Sequence, residues 1–194
     1  GLMTEQKLAD GNYICRKECS KKTFKVFNKV EATLGDVTEH IAQIEKGTQI
    51  WNEIFVPLQK TSNKEEKLRQ IYGLKDVTGY VSPSTGLLAF IENRYKFFIF
   101  GKTTLACVYR VADLYGYDYE CETSKDAEGK EIKKHYCVFQ FRNTTGMYAP
   151  RIELGSKSDF DSLEKYFNEL FGIQKTLRNS FANAKRQMDA IKSV

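Results

Sequence analysis

Cys15 and Cys19, in the stretch Asn12-Tyr13-Ile14-Cys15-Arg16-Lys17-Glu18-Cys19, are two thiols with three residues between them, and cysteine pairs at about this spacing ligate zinc. A structural zinc site takes four such ligands, usually as two knuckles of two, and the matching knuckle would lie upstream of Leu2. Two thiols fill half a tetrahedron, so the sequence predicts zinc as a cofactor of a longer form of the protein and none in this chain. His40 is a candidate third ligand, but a single His on a helical stretch is expected at the surface instead.

Cys121, His135 and Cys137 have the residue types of a metal site or of a thiol nucleophile with its base. No carboxylate stands in sequence where it would orient the histidine, and strand alternation turns Cys121 and Cys137 toward Tyr and Phe. Both are therefore expected as inert core thiols, shielded from reagents that reach Cys15 and Cys19. Phe100-Gly101-Lys102-Thr103-Thr104 brushes against a phosphate-binding loop, but the motif's first glycine would fall on Lys96, and the segment reads as a strand-end turn. The pairs Glu65-Glu66 and Asp159/Asp161 sit at helix starts, where carboxylates complement the dipole. With no nucleophile, base and orienting group in sequence order, the chain is expected to be a non-enzymatic binding or scaffold module.

Charge points to anionic partners. The formal net charge is +5, and +4 of it lies in residues 1–30, where seven Lys or Arg face Glu5, Asp10 and Glu18. Two candidate binding sets follow. Arg16, Lys17, Lys21, Lys22 and Lys25 form a basic stripe suited to phosphates of a nucleic acid; Arg94, Lys96 and Lys102 would serve anionic lipid headgroups. The favoured partner is a protein or an anionic membrane surface, with nucleic acid as the alternative. No apolar run is long enough to cross a bilayer and no charged-then-apolar stretch reads as a signal peptide, so a cytoplasmic location is expected, and five cysteines read as free thiols or metal ligands.

The elements that must position these groups are mixed. Val37, Ile41, Ile44, Thr48, Trp51, Phe55 and Leu58 recur at steps of three and four, opened by Thr33 and Asp36 as a capping box, bent or broken at Gly47 and ended near Val56 by Pro57. A short helix is expected to carry Leu68 and Ile71, between a Ser62/Glu65 cap and Gly73. From Gly79 to Leu154 the pattern is β, with a tight hairpin at Asn93-Arg94 and another loop at Ser124–Lys130. Centring that loop near Ala127 sets Cys121 opposite Lys133, Tyr119 opposite His135 and Tyr117 opposite Cys137, with Tyr115, Tyr117, Tyr119 and Cys121 on the apolar face. A last helical stripe, capped by Ser158 or Asp159, runs from Phe160 to Ile191. Its second half has no strand to cover, so it is expected to pair with the Val37–Leu58 stripe, within the chain or across a dimer through helices 34–58 and 173–192.

Lys7-Leu8-Ala9-Asp10-Gly11 with Ile14-Cys15, and in the body Ala89-Phe90-Ile91-Glu92-Asn93 and Val108-Tyr109-Arg110-Val111-Ala112-Asp113-Leu114-Tyr115-Gly116-Tyr117, resemble uncharacterised proteins of Gram-positive bacteria and their phages. Those proteins join a four-cysteine zinc ribbon to a pleckstrin-homology-like domain. The resemblance implies an α+β fold with a PH-like antiparallel β-sandwich or barrel closed by a C-terminal helix, and it implies no catalytic residues. The expected organisation is a partial ribbon over 1–30, a helical connector over 31–75, a PH-like domain over 76–172 and a helical extension over 173–194.

Overall fold

A computed structural model of the chain describes residues 5–71, 77–97, 100–142 and 150–171. The N-terminal unit begins with a small hairpin of β1 (Glu5–Lys7) and β2 (Tyr13–Cys15), followed by α1 (Arg16–Lys22). Gly11, at φ +84°, makes its turn. Asp10 accepts from the backbone N–H groups of Asn12 and Leu34, and Ala9 N–H donates to the Ala32 carbonyl, so the hairpin is lashed to the start of the next helix. That helix, α2 (Leu34–Ile50), opens with the expected capping box, in which Thr33 and Asp36 satisfy each other's backbone N–H.

Gly47 does not break α2. A Cβ there would sit 2.2 Å from the Ala106 carbonyl oxygen, so glycine is what allows the helix to lie against a strand. Beyond Ile50 the chain stays helical through a single widened π turn, Trp51–Phe55, and α3 (Val56–Gln59). Pro57 therefore does not end the helix at Val56. Its ring would clash with the carbonyl four residues back, and the π turn upstream gives that carbonyl room.

Two antiparallel sheets form the body. The first holds β3 (Arg69–Ile71), β4 (Val77–Ser82), β5 (Leu87–Phe97) and β6 (Phe100–Arg110) in sequence order; the second holds β7 (Leu114–Lys125), β8 (Glu131–Phe141) and β9 (Arg151–Leu154). A 3-10 turn at Val111–Asp113 carries the chain from one sheet to the other. None of the sheets, the small hairpin included, closes into a barrel, so the fold is α+β with antiparallel sheets. Phe90 meets Phe139 at 4.9 Å and Tyr109 stacks on Phe141 at 4.2 Å, joining the inner faces. The fourth helix, α4 (Lys157–Phe171), brings Phe167 onto Phe139 and Tyr117 from the same side, and Tyr117 donates to Asn168. Ser156 caps it, accepting from Asp159 N–H, two residues before Ser158 and three before Asp159, the caps expected.

Several sequence expectations change here. Arg69–Ile71 is a strand paired with β4 and not part of a helix, so the first sheet begins before residue 76. Asn93-Arg94 is not a turn: β5 runs through it, Asn93 accepts from Thr104 across the ladder, and the hairpin lies between the paired Phe97 and Phe100. The β7–β8 register is two residues from the expected one, with Cys121 opposite His135, Tyr119 opposite Cys137 and Tyr117 opposite Phe139. A slip of two keeps the faces, and a bulge between Leu114 and Gly116 puts Leu114 rather than Tyr115 in the core. Finally, the body of the protein covers part of the α2 stripe. Val37 and Ile44 join the main core, while Trp51 and Phe55 cover Ala89, Ile91 and Ala106 on the outer face of the first sheet. Thr48 accepts the outward N–H of Ala106, so α2 and the π turn seal the β6 edge. The partner segment 173–192 lies outside the described residues.

Candidate functional site

Alternation along β1 and β2 turns Ile14 into the core and leaves Glu5, Lys7, Tyr13 and Cys15 outside, with Lys7 directly across from Tyr13. In α1, Cys19 packs on the core, which leaves Arg16, Lys17, Lys21 and Lys22 exposed; Lys25 follows, also exposed. Lys21 meets Glu18 at 3.0 Å, and this neighbour holds the Glu18 carboxyl below the usual range. The same unit exposes apolar surface. Tyr13 is 59 % exposed, Val30 67 % and Leu34 42 %, and the Asp10 and Ala9 bonds draw residues 32–34 against the β1–β2 turn.

The inner side of the unit is built differently. Glu92, on the core face of β5, is fully buried, where a carboxylate needs several partners. It accepts from Arg94 Nε at 2.5 Å and from the Lys25 backbone N–H at 2.7 Å, while Arg94 Nη2 donates to the Thr23 carbonyl at 2.5 Å. These bonds clamp the 23–25 loop onto the sheet. Lys29, half-buried beside the clamp, has its pKa lowered first by desolvation and then by Arg94, with Glu92 opposing.

His40 belongs to this inner side and not to the surface. It is 3 % exposed, stacked on Phe27 at 4.3 Å and edge-on to Phe24, and its Nε2 accepts the Phe24 N–H. Burial pulls its pKa down to about 4, Gln43 opposing, so the ring is neutral. Cys15 is exposed and Cys19 half-buried, and among the described residues no group of three or more His, Cys, Asp or Glu gathers to hold a metal. Among the described residues nothing completes a four-ligand zinc site around Cys15 and Cys19.

Two members of the second basic set lie among the described side chains. Arg94 is engaged in the clamp with its side chain 20 % exposed, Lys102 is exposed on β6, and the Lys96 side chain lies outside the described residues. Elsewhere, a cavity of about 290 Å³ between α2 and β6 carries mixed charge, with Arg110 paired to Asp113 through two 2.7 Å bonds. Of the thiols singled out above, Cys137 is buried, as expected, but Cys121 is exposed, because the β7–β8 ribbon runs past the core before it turns.

The sequence reading missed Glu92 and Tyr13. An acid directly after the apolar run Leu87–Ile91 was the available signal for the first; an aromatic alternating with Cys15 beside a basic helix was the signal for the second. No helix among the described residues is long and apolar enough to cross a membrane. No protein-family model, curated protein or solved structure matches the chain.

Proposed function

We propose that this chain is a non-enzymatic binding module that docks on an anionic membrane surface through the outer face of its N-terminal unit. The observation that carries the reading is the mixture on that face: Tyr13, Val30 and Leu34 exposed in the same small unit as Lys7, Arg16, Lys17, Lys21 and Lys22. Cations alone would suit any polyanion. Exposed aliphatic side chains gain nothing from a sugar-phosphate backbone, yet they gain apolar burial at a headgroup boundary. The clamp at Glu92 supports this, since it holds the unit rigidly on the body.

The body itself is proposed to be a PH-like sandwich. Four strands in meander order, then three, then one helix packed on the second sheet is the arrangement such a domain would have. Zinc is proposed only for a chain in which a second cysteine pair precedes Cys15. Native mass spectrometry of the present chain is expected to show no bound zinc; one zinc per chain would overturn that ligand count.

Co-sedimentation with vesicles tests the function. Binding is expected to phosphatidylcholine vesicles containing phosphatidylserine, falling with salt, and not to phosphatidylcholine alone. Each basic side chain near the surface contributes about 1 kcal/mol, so Arg16→Ala with Lys17→Ala should weaken binding about thirtyfold. Binding to duplex DNA with no binding to the anionic vesicles would contradict the proposal.

A further inference from the structure

A cavity of about 420 Å³ opens between the N-terminal unit and the second sheet. Gln6, Lys25, Lys29 and Val30 line it from the N-terminal unit, and Glu122 of β7 and Arg151 of β9 line it from the sheet. Ile152 and Leu154 are in the core, so alternation turns Arg151 to the outer face of β9. Its guanidinium lies over the Tyr136 ring at 4.3 Å and donates from Nη1 to Glu122 at 2.6 Å. Ring and carboxylate together fix the plane of the fork, and the Arg151 side chain stays 23 % exposed. Among the described residues Glu122 is the one acceptor it meets, so Nε and Nη2 hold donors for another.

Lys29 is half-buried and forms no hydrogen bond or ion pair among the described residues. Desolvation lowers its pKa first and Arg94 next, with Glu92 and Cys19 opposing, so the ammonium is short of a counter-ion. Lys25, exposed, adds a cation to the same rim. Glu122 is the carboxylate among the lining side chains, and Arg151 already holds it. The cavity between α2 and β6 differs: Glu39 and Asp113 both line it, and Arg110 gives two donors to Asp113.

We propose that this cavity binds a phosphate monoester, with Lys29 and Arg151 as its two cationic contacts. A carboxylate has two oxygens in one plane, which a single guanidinium fork satisfies. A phosphate monoester has three terminal oxygens and close to two negative charges above its second pKa of about 6, enough for a fork and an ammonium on separate elements. Pairing also gives the half-buried Lys29 ammonium a counter-ion. Docking on a membrane is not required, although Val30 lines the cavity and belongs to the docking face. The monoester is either free in solution or the headgroup of a lipid such as phosphatidic acid.

Amide and guanidinium NMR signals of the full chain, titrated at fixed ionic strength with glycerol 3-phosphate, test the site. Saturable shifts are expected at residues 25–30, Glu122 and Arg151, and acetate should not produce them. Affinity should rise about tenfold between about pH 5 and pH 7, as the second proton leaves the phosphate. Lys29→Gln and Arg151→Gln should each weaken binding about tenfold, whereas Lys64→Gln, the same loss of charge at an exposed position, should not. Sedimentation with vesicles containing phosphatidic acid, against phosphatidylserine at equal surface charge, identifies the source: excess binding to phosphatidic acid that both variants lose assigns the lipid, and its absence beside a saturable titration assigns the free monoester. Neither shifts from glycerol 3-phosphate nor excess binding to phosphatidic acid would overturn the proposal, as would equal shifts from acetate or unchanged affinity in both variants. Failure to sediment with phosphatidylserine vesicles contradicts only the docking face, since the titration contains no membrane.

Discussion

The N-terminal unit has two sides that use charge in opposite ways. On the inner side Glu92 is removed from water, and it and the largely covered Arg94 are bonded to each other and to the backbone of Thr23 and Lys25. On the outer side Arg16, Lys17 and Lys22 are exposed, and the ion pair between Lys21 and Glu18 is open to solvent on both partners. The same residue types therefore do different work. A buried ion pair stabilises only as a set, because each member left alone is an unpaired charge in apolar surroundings; an exposed cation adds little to folding and is available to a partner.

Removing one member of the buried set should have the largest effect. Glu92→Ala removes the buried carboxylate to which Arg94 Nε and the Lys25 N–H donate, and is expected to cost about 3–5 kcal/mol in urea unfolding. The double change Glu92→Met with Arg94→Met should recover most of that loss. A Glu92→Ala variant within about 0.5 kcal/mol of the parent would show that the clamp carries no stability.

His40 sharpens the same side of the comparison. Its pKa falls from the ordinary 6.5 to about 4 on folding, so between those values the unfolded chain binds the extra proton. Stability from this group is complete above pH 6.5 and is lost as pH falls toward 4, by up to about 3 kcal/mol at 1.36 kcal/mol per unit. Denaturant midpoints measured across this window should flatten in His40→Gln, and an equally steep fall there would assign the slope to other groups. Gly47→Ala, which forces a methyl onto the Ala106 carbonyl, should cost about 1–3 kcal/mol as overpacking, read from thermal unfolding. No change would mean that α2 can retreat from β6 freely. Arg16→Ala with Lys17→Ala should leave stability within about 0.5 kcal/mol, the smallest effect of the series and the complement of the Glu92 result.

How much of this was legible in the sequence depends on how local the determinant is. The capping box at Thr33 and Asp36, the helical stripe over Val37–Phe55 and the faces of β7 and β8 follow from short-range pattern, and all appear. Long-range facts did not. Nothing near Gly47 announces a strand at Ala106, nothing near Asn93 says that Thr104 will pair with it, and a hairpin loop centred one residue later moves every partner of Cys121 by two. The candidate site divides in the same manner. The basic stripe could be counted in the sequence, whereas the burial of Glu92 and His40 and the engagement of Arg94 needed the fold, because each is met by a segment many residues away.

The most direct measurement places a reporter on the outer face. Tyr13→Trp puts an indole where the exposed tyrosine stands, against a background of Trp51, which is buried under the first sheet. With vesicles containing phosphatidylserine the new indole should shift to shorter wavelength and be quenched by brominated acyl chains, while vesicles of phosphatidylcholine alone leave it unchanged. An indole that stays in water while the protein sediments with anionic vesicles, or a protein that does not sediment with them, would contradict docking through this face.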